Sequence, residues 1–224
     1  MSREPRRHPP AGELLAHATG RLDAGARVLV EAHLAFCSSC REELADLAVP
    51  GGLWLEESRP EAPPPAVFER VLERVRDLPP DPVAEIPLPG SARAELAAAL
   101  APRWRRVPLS SARFAVVWRE RATQTALLAV VLGGDRTLPR HLHLGPESGV
   151  VLQGSYRDPK GRFGLGDYFE NGAGTEHGPR TGPEEPCWIV ARIEQGIRFR
   201  GLPGVVQALQ QRLRRRSRPS RLKT

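Results

Sequence analysis

Along the first part of the chain the apolar positions recur at helical spacing. Within 23–36, Val28, Leu29, Ala32 and Phe36 fall three and four residues apart, which places them on one face of an α-helix. Asp23 stands where that helix would begin, and its carboxylate can accept from the first free amides. A short helix is expected over 41–47. The pattern then breaks over 49–66, where Pro50, Gly51, Gly52 and the run Pro63, Pro64, Pro65 are interspersed with acids. This composition reads as a linker partly stiffened by proline. Helical spacing returns at 66–77, with Val67, Val71, Leu72 and Val75 on one face and Phe68 beside them. That is an amphipathic helix of about three turns, ended by the prolines of 78–82. Lying between two proline-rich stretches, it must pack on a domain or on a partner.

From about residue 84 the signals change to strands. The segments 113–120, 124–132, 149–156, the neighbourhood of Phe163 and 187–193 are short β-rich apolar runs punctuated by Gly and Pro. Several short strands at this spacing suggest a small barrel or a double-sheet jelly roll. A last helix over 205–213 runs into the C-terminus. The expected fold is α+β in two domains. A helical domain spans 1–50, a proline-rich linker with its amphipathic helix 51–83, a β-barrel or jelly roll 84–204, and a terminal helix and tail 205–224.

Composition narrows the function classes. A chain of 224 residues, 40% hydrophobic and 26% charged, suits one medium domain plus a small one. No apolar run reaches the length of a membrane span, and the basic start carries no apolar core of an export signal, so a cytoplasmic protein is expected. The formal charge of +7 resides in the tail: 211–224 holds Arg212, Arg214, Arg215, Arg216, Arg218, Arg221 and Lys223 and no acid, leaving 26 basic against 26 acidic residues elsewhere. The high pI is therefore no sign of a basic nucleic-acid-binding face. The tail reads as a solvated terminus, with contact to nucleic acid or an acidic partner as the alternative.

Three cysteines, Cys37, Cys40 and Cys187, are too few for a disulfide framework. Two of them belong to His33-x3-Cys37-x2-Cys40. His33 and Cys37 share a side across a helix end, and Cys40 follows one turn later, so an imidazole and two thiolates can surround a tetrahedral ion. A fourth ligand must come from elsewhere. His8, just before the first helix, is the best candidate, and His17 within a helix is its competitor. The absence of a surrounding βαβ pattern disfavours thioredoxin-like redox chemistry. A second constellation is His141-x-His143-x3-Glu147. Alternate residues of a strand point to one face, so the two histidines can share an ion. Cys187 lies on a strand, where a buried structural thiol is expected and a redox role is the alternative.

The pattern His8, about two dozen residues, then His33-x3-Cys37-x2-Cys40 resembles the zinc-containing anti-sigma domain over residues 8–48. That resemblance implies a small helical bundle, with His8, His33, Cys37 and Cys40 holding zinc, that grips an extracytoplasmic-function sigma factor. Downstream, His141, His143, Glu147 and Gly154, then Gly166, Gly174 and His177, resemble the two cupin motifs. Gly172 stands where those motifs carry proline and Thr181 where they carry asparagine. The likeness implies that His141, His143, Glu147 and His177 hold zinc or another divalent metal; such a ligand set also suits Fe, Mn or Ni. In this order the segments resemble the ChrR-type anti-sigma factors across nearly the whole chain. The implied protein is a negative regulator of transcription whose zinc domain sequesters the sigma factor. Its cupin domain would sense a signal, oxidative in some members, such as singlet oxygen. The alternative is a metal-dependent cupin enzyme, a dioxygenase or isomerase, with a regulatory zinc domain. Direct DNA binding is the weakest reading, because no helix-turn-helix or aromatic–basic platform accompanies the tail.

Overall fold

A computed structural model of the protein describes residues 4–64, 66–77, 104–183 and 186–216. The expected linker end at 78–83, the first residues of the β domain at 84–103 and the tail beyond 216 lie outside these residues. Four helices come first: α1 Ala11–Ala18, α2 Ala24–Leu34, α3 Ser38–Glu57 and α4 Val67–Arg76. Asp23 caps α2, its carboxylate accepting from Ala26 N at 2.8 Å. The helix stops at Leu34, so Phe36 falls in the turn before α3 rather than on the α2 face.

The expected break at 49–66 needs correction. Helix α3 begins at Ser38, with Cys37 as its N-cap, and runs unbroken through Pro50, Gly51 and Gly52 to Glu57. Pro50 removes one helical hydrogen bond, but the better helix formers Leu47 and Ala48 before it and Leu53 and Leu55 beyond the two glycines carry the helix past. The stop comes where Pro60 bars Arg59 from the α region. The linker therefore starts near residue 59, not 51. Helix α4 matches the expected amphipathic segment, and none of its residues is buried.

Among the described residues twelve strands follow. β1 Arg105–Arg106, β2 Arg113–Glu120, β3 Thr125–Leu132, β4 His141–His143, β5 Glu147–Gln153 and β6 Tyr156–Asp158 form the first half. β7 Gly161–Phe163, β8 Tyr168–Asn171, β9 Glu176–His177, β10 Arg180–Thr181, β11 Cys187–Glu194 and β12 Ile197–Phe199 complete it, before helix α5 Gly201–Arg216. All the pairings are antiparallel. They give a six-stranded sheet β1-β2-β3-β11-β5-β8 and two three-stranded sheets, β10-β6-β7 and β12-β4-β9, as the double-sheet expectation requires.

Alternation along the central strands sorts two cores. Val150 of β5 and Val190 of β11 point to the outer face, where they join Leu127 and Tyr168 beneath Val28, Leu29 and Ala32 of α2. Their neighbours Val151 and Ala191 point inward with Tyr156, Phe163, Phe169 and Cys187. The helical segment is thus docked on the sheet. Full burial of Val28 and Leu29 stabilises that contact by roughly 3–6 kcal/mol, and Arg192 of β11 clamps Asp23 through Nε at 2.9 Å and Nη2 at 2.6 Å.

Candidate metal centres

The first cluster is built at the junction of α2 and α3. The chain leaves α2 through the turn at Phe36, whose amide donates to the His33 carbonyl at 2.9 Å. That turn swings Cys37 and Cys40 back under His33. The segment before α1 returns His8, whose Nδ1 lies 3.4 Å from Cys37 Sγ and 3.3 Å from Cys40 Sγ. His33 Nε2 is 3.3 Å from Cys40 Sγ. The four residues named from the sequence therefore converge, and His17, on α1, stays outside.

These separations suit a tetrahedral ion. Zn–S bonds of about 2.3 Å and Zn–N bonds of about 2.0 Å put neighbouring ligand atoms roughly 3.5 Å apart. Protonation agrees. The Gly166 carbonyl can only accept, so His33 carries its proton on Nδ1, 2.8 Å away, and turns the Nε2 lone pair to the sulfurs. Burial holds His33 below its usual range, which keeps it neutral as a ligand must be. Burial, with Cys37 alongside, pushes the Cys40 thiol up to about 12. A buried sulfur of that kind becomes a thiolate only with a cation beside it.

The second cluster lies within the β domain. Strand β4 turns His141 and His143 to one face, and β9 places His177 directly opposite His141. One nitrogen from each comes within 4.8 Å of the others. Two of the rings have their outer nitrogens engaged: His141 Nδ1 donates to the Pro139 carbonyl at 2.9 Å, and His177 Nδ1 to Asp158 Oδ2 at 2.9 Å. Both therefore turn Nε2 inward. His143 Nε2 sits only 3.1 Å from His177 Nε2, and the buried Nδ1 of His143 has no partner. Nitrogens crowded this way in a buried site fit a shared cation. Burial lowers His141 to about 4 and His143 to about 3, so both are neutral at physiological pH.

Glu147 lies outside the three-histidine cluster, yet its Oε2 is 3.6 Å from His143 Nε2. It stands opposite Asn171 in the β5–β8 pairing, and Asn171 Nδ2 donates to it at 2.8 Å. Burial raises its carboxyl to about 7. Thr181, the departure from the cupin pattern, is buried away from the cluster. It staples the turn before β4, donating to the Gly133 carbonyl at 2.6 Å and accepting from Arg136 N at 3.0 Å.

Beside the histidines opens a cavity whose other walls are mainly apolar, among them Val130, Leu132, Phe169 and Ile189. Cys187 also faces it, buried and unpaired, with its thiol raised to about 12 by burial. That is an inert structural thiol rather than a nucleophile.

Several residues that serve these clusters carry no motif, Asp158, Lys160 and Asn171 among them, and Gly166, although part of the cupin pattern, gave no sign that its carbonyl would meet His33. For Asp158 and Asn171 the one usable signal was the general need of a ligating side chain for an outer partner. Which acid or amide supplies it depends on strand pairing.

Comparison with known proteins extends the picture over the whole chain. A family model described as the ChrR cupin-like domain matches residues 93–195. The anti-sigma-E factor ChrR of Cereibacter sphaeroides is 30% identical over 211 residues, spanning 90% of this chain and 96% of that protein. A crystal structure of Rhodobacter sphaeroides SigE in complex with the anti-sigma ChrR aligns at 27% identity with a TM-score of 0.62. It covers 84% of this chain and 98% of that one.

Proposed function

The chain belongs to the ChrR family of anti-sigma factors, and from that membership we propose that it sequesters an extracytoplasmic-function sigma factor through its N-terminal helices, under control of the cupin domain. His8, His33, Cys37 and Cys40 would hold zinc, which fixes the angle between α2 and α3. His141, His143 and His177, with Glu147, would hold zinc or another divalent metal in the sensing half. The signal it reads is expected to be oxidative, of the singlet-oxygen type. With such a partner in the transcription machinery, a cytoplasmic location is part of the proposal. Among the described residues no helix is long and apolar enough to cross a membrane.

The observation that carries the reading is the apolar surface left bare by the helices. Trp54 at the end of α3 is 77% exposed and Phe68 on α4 is 69% exposed, with Leu53, Leu55, Val71 and Val75 also exposed. Large apolar side chains grouped on helix faces mark a protein-binding surface. An enzyme is disfavoured. The chain's similarity over nearly its full length is to an anti-sigma factor and not to an enzyme.

Co-expression of the full chain with an extracytoplasmic-function sigma factor of its own host, followed by co-purification, metal analysis and run-off transcription, tests the proposal. A stable complex, inhibited transcription and two metal equivalents per chain are expected. Free sigma activity in the presence of folded, metal-loaded protein would reject the sigma-factor reading, and absence of metal would reject the site assignments.

A further inference from the structure

One short segment touches both clusters. The β6–β7 hairpin turns at residues 158–161, and its side chains reach the cupin ligands. Asp158 Oδ2 accepts from His177 Nδ1 at 2.9 Å, and the Asp158 side chain is 1% exposed. Lys160 Nζ donates to Asn171 Oδ1 at 2.8 Å, and Asn171 in turn donates to Glu147. The Lys160 amide donates to Asp158 Oδ1 at 2.8 Å, which locks the two residues together.

The backbone of the same segment reaches the other cluster. The Lys160 carbonyl accepts from Arg7 Nη2 at 2.7 Å, and the Arg7 guanidinium lies 4.2 Å above the Phe163 ring. Asp167 Oδ1 accepts from the amides of Arg6 and Arg7 at 2.7 and 3.2 Å, and Tyr168 N donates to the Arg7 carbonyl at 2.9 Å. Arg7 immediately precedes His8. The Gly166 carbonyl holds His33. Gly166 has φ +78°, and a Cβ there would come within 2.6 Å of Pro5 Cγ and 2.7 Å of Phe36 Cβ, so only glycine permits this contact.

We propose that residues 158–168 are one positioning element shared by the two centres, with Asp158 and Lys160 as positioning residues for His177 and Glu147, so that occupation of the cupin site governs how firmly the N-terminal zinc is held. The proposal rests on reading both clusters as metal sites. With a metal in the cupin site, His177 and Glu147 are drawn to fixed places, and Asp158, Asn171 and Lys160 are fixed with them. Without it, those anchors lose their common restraint, and the loosened hairpin relaxes its hold on Arg7 and on the turn that carries Gly166. The coupling is reciprocal by thermodynamic necessity, and it supplies the connection by which a signal at the cupin can reach the sigma-binding helices.

The test uses the full chain and begins with metal analysis, which must find both sites filled; a cupin site that takes no metal refutes the site assignment rather than the coupling. Zinc release from the N-terminal cluster is then followed with a zinc-responsive dye under a weak chelator. In His141→Ala, whose altered side chain does not touch the hairpin, N-terminal zinc should leave about five-fold or more faster than in the wild type. In Arg7→Met and Lys160→Met backgrounds the ratio between filled and empty cupin should shrink toward one, while both proteins remain folded by circular dichroism. Should His141→Ala fail to fold, wild-type protein depleted of cupin metal and then refilled serves as the same comparison. Hydrogen exchange on that pair provides a second readout: emptying the cupin should deprotect the amides of Arg6, Arg7 and Tyr168 before those of β2 and β3. Equal zinc-release rates with the cupin filled and empty would overturn the proposal, as would a ratio that survives both Arg7→Met and Lys160→Met.

Discussion

The two clusters have similar donors in very different settings. At the helical cluster three of the four ligands lie within eight residues, His33 to Cys40, and the local turn between α2 and α3 assembles them. In the β domain the histidines come from β4 and β9, thirty-odd residues apart, and the ligand face exists only once those strands pair. Electrostatics separates them further. Burial raises the Cys40 thiol to about 12, so without a cation that ligand stays a neutral thiol. Burial instead lowers His141 and His143, so these two are already neutral ligands. A cluster of the first kind depends on its metal to fold, whereas one of the second kind is preorganised by a sheet and can bind and release metal with the barrel intact. That difference suits a structural zinc in the gripping half and an exchangeable ion in the sensing half.

The sharpest way to break this contrast is to remove a ligand from each side. Cys37→Ser should abolish N-terminal zinc and sigma binding together, because structural zinc supplies on the order of 10 kcal/mol in zinc-finger peptides, whose folding likewise rests on the metal; zinc analysis and co-purification report it. By the same logic His141→Ala should empty the cupin while the N-terminal zinc, though released faster, stays bound at equilibrium and sigma binding stays in place. If Cys37→Ser still binds the sigma factor, zinc does not build the grip.

A smaller effect tests preorganisation by pH. The Glu147 carboxyl, raised to about 7 from an ordinary value of 4.5, keeps its proton in the folded metal-free protein where the unfolded chain has lost it. Folding stability of the metal-free protein therefore falls as pH rises from 4.5 to 7 and stays reduced above. Glu147→Gln should melt higher than the wild type at pH 8, by up to about 3 kcal/mol, and equal it near pH 4.5. The lowered His141 and His143 cost stability as pH falls below 6.5, but they do so in both proteins and cancel. With metal bound the order should reverse, since the variant lacks a carboxylate next to the ion. Thermal unfolding with and without metal at the two pH values reads both signs.

Next come the exposed helix faces. Trp54→Ala or Phe68→Ala should weaken sigma binding by about 2 kcal/mol, the scale of an interface anchor, with no change in melting temperature, because neither side chain is buried in the free protein. Isothermal titration alongside a melting curve separates affinity from stability. The smallest expected effect is at the dock between the halves. Asp23→Ala removes the α2 cap and the partner of Arg192, and should lower stability by about 1–2 kcal/mol while both metals stay bound. A loss of N-terminal zinc there would mean that the dock, and not the ligand turn, holds the helical cluster together.

What the sequence determined by itself was everything with short-range physics behind it. The cap at Asp23, the ligand spacing of His33, Cys37 and Cys40, the alternation that turns His141 and His143 to one side, and the amphipathic face of α4 all follow from the repeat of a helix or a strand. The approach of His177 to His141 was legible as well, because the cupin motif encodes a sheet pairing as a pattern of intervals, whereas Glu147 comes to lie beside the histidine cluster and not in it. The same local logic misjudged Pro50, Gly51 and Gly52: local breakers lower helix propensity, yet the flanking helix formers carry α3 to Glu57. Tertiary structure alone decided who supports the ligands. Asp158 meets His177 across 19 residues, Asn171 meets Glu147 across 24, and Gly166 meets His33 across 133. No periodicity encodes such separations; they arise when sheets pair and α2 buries Val28 and Leu29 on the six-stranded face. Ligands can be read from the chain because a metal demands particular donor atoms, whereas any carbonyl, carboxylate or amide brought near by the fold can hold a ligand in place, so the partner is chosen by position and not by residue type.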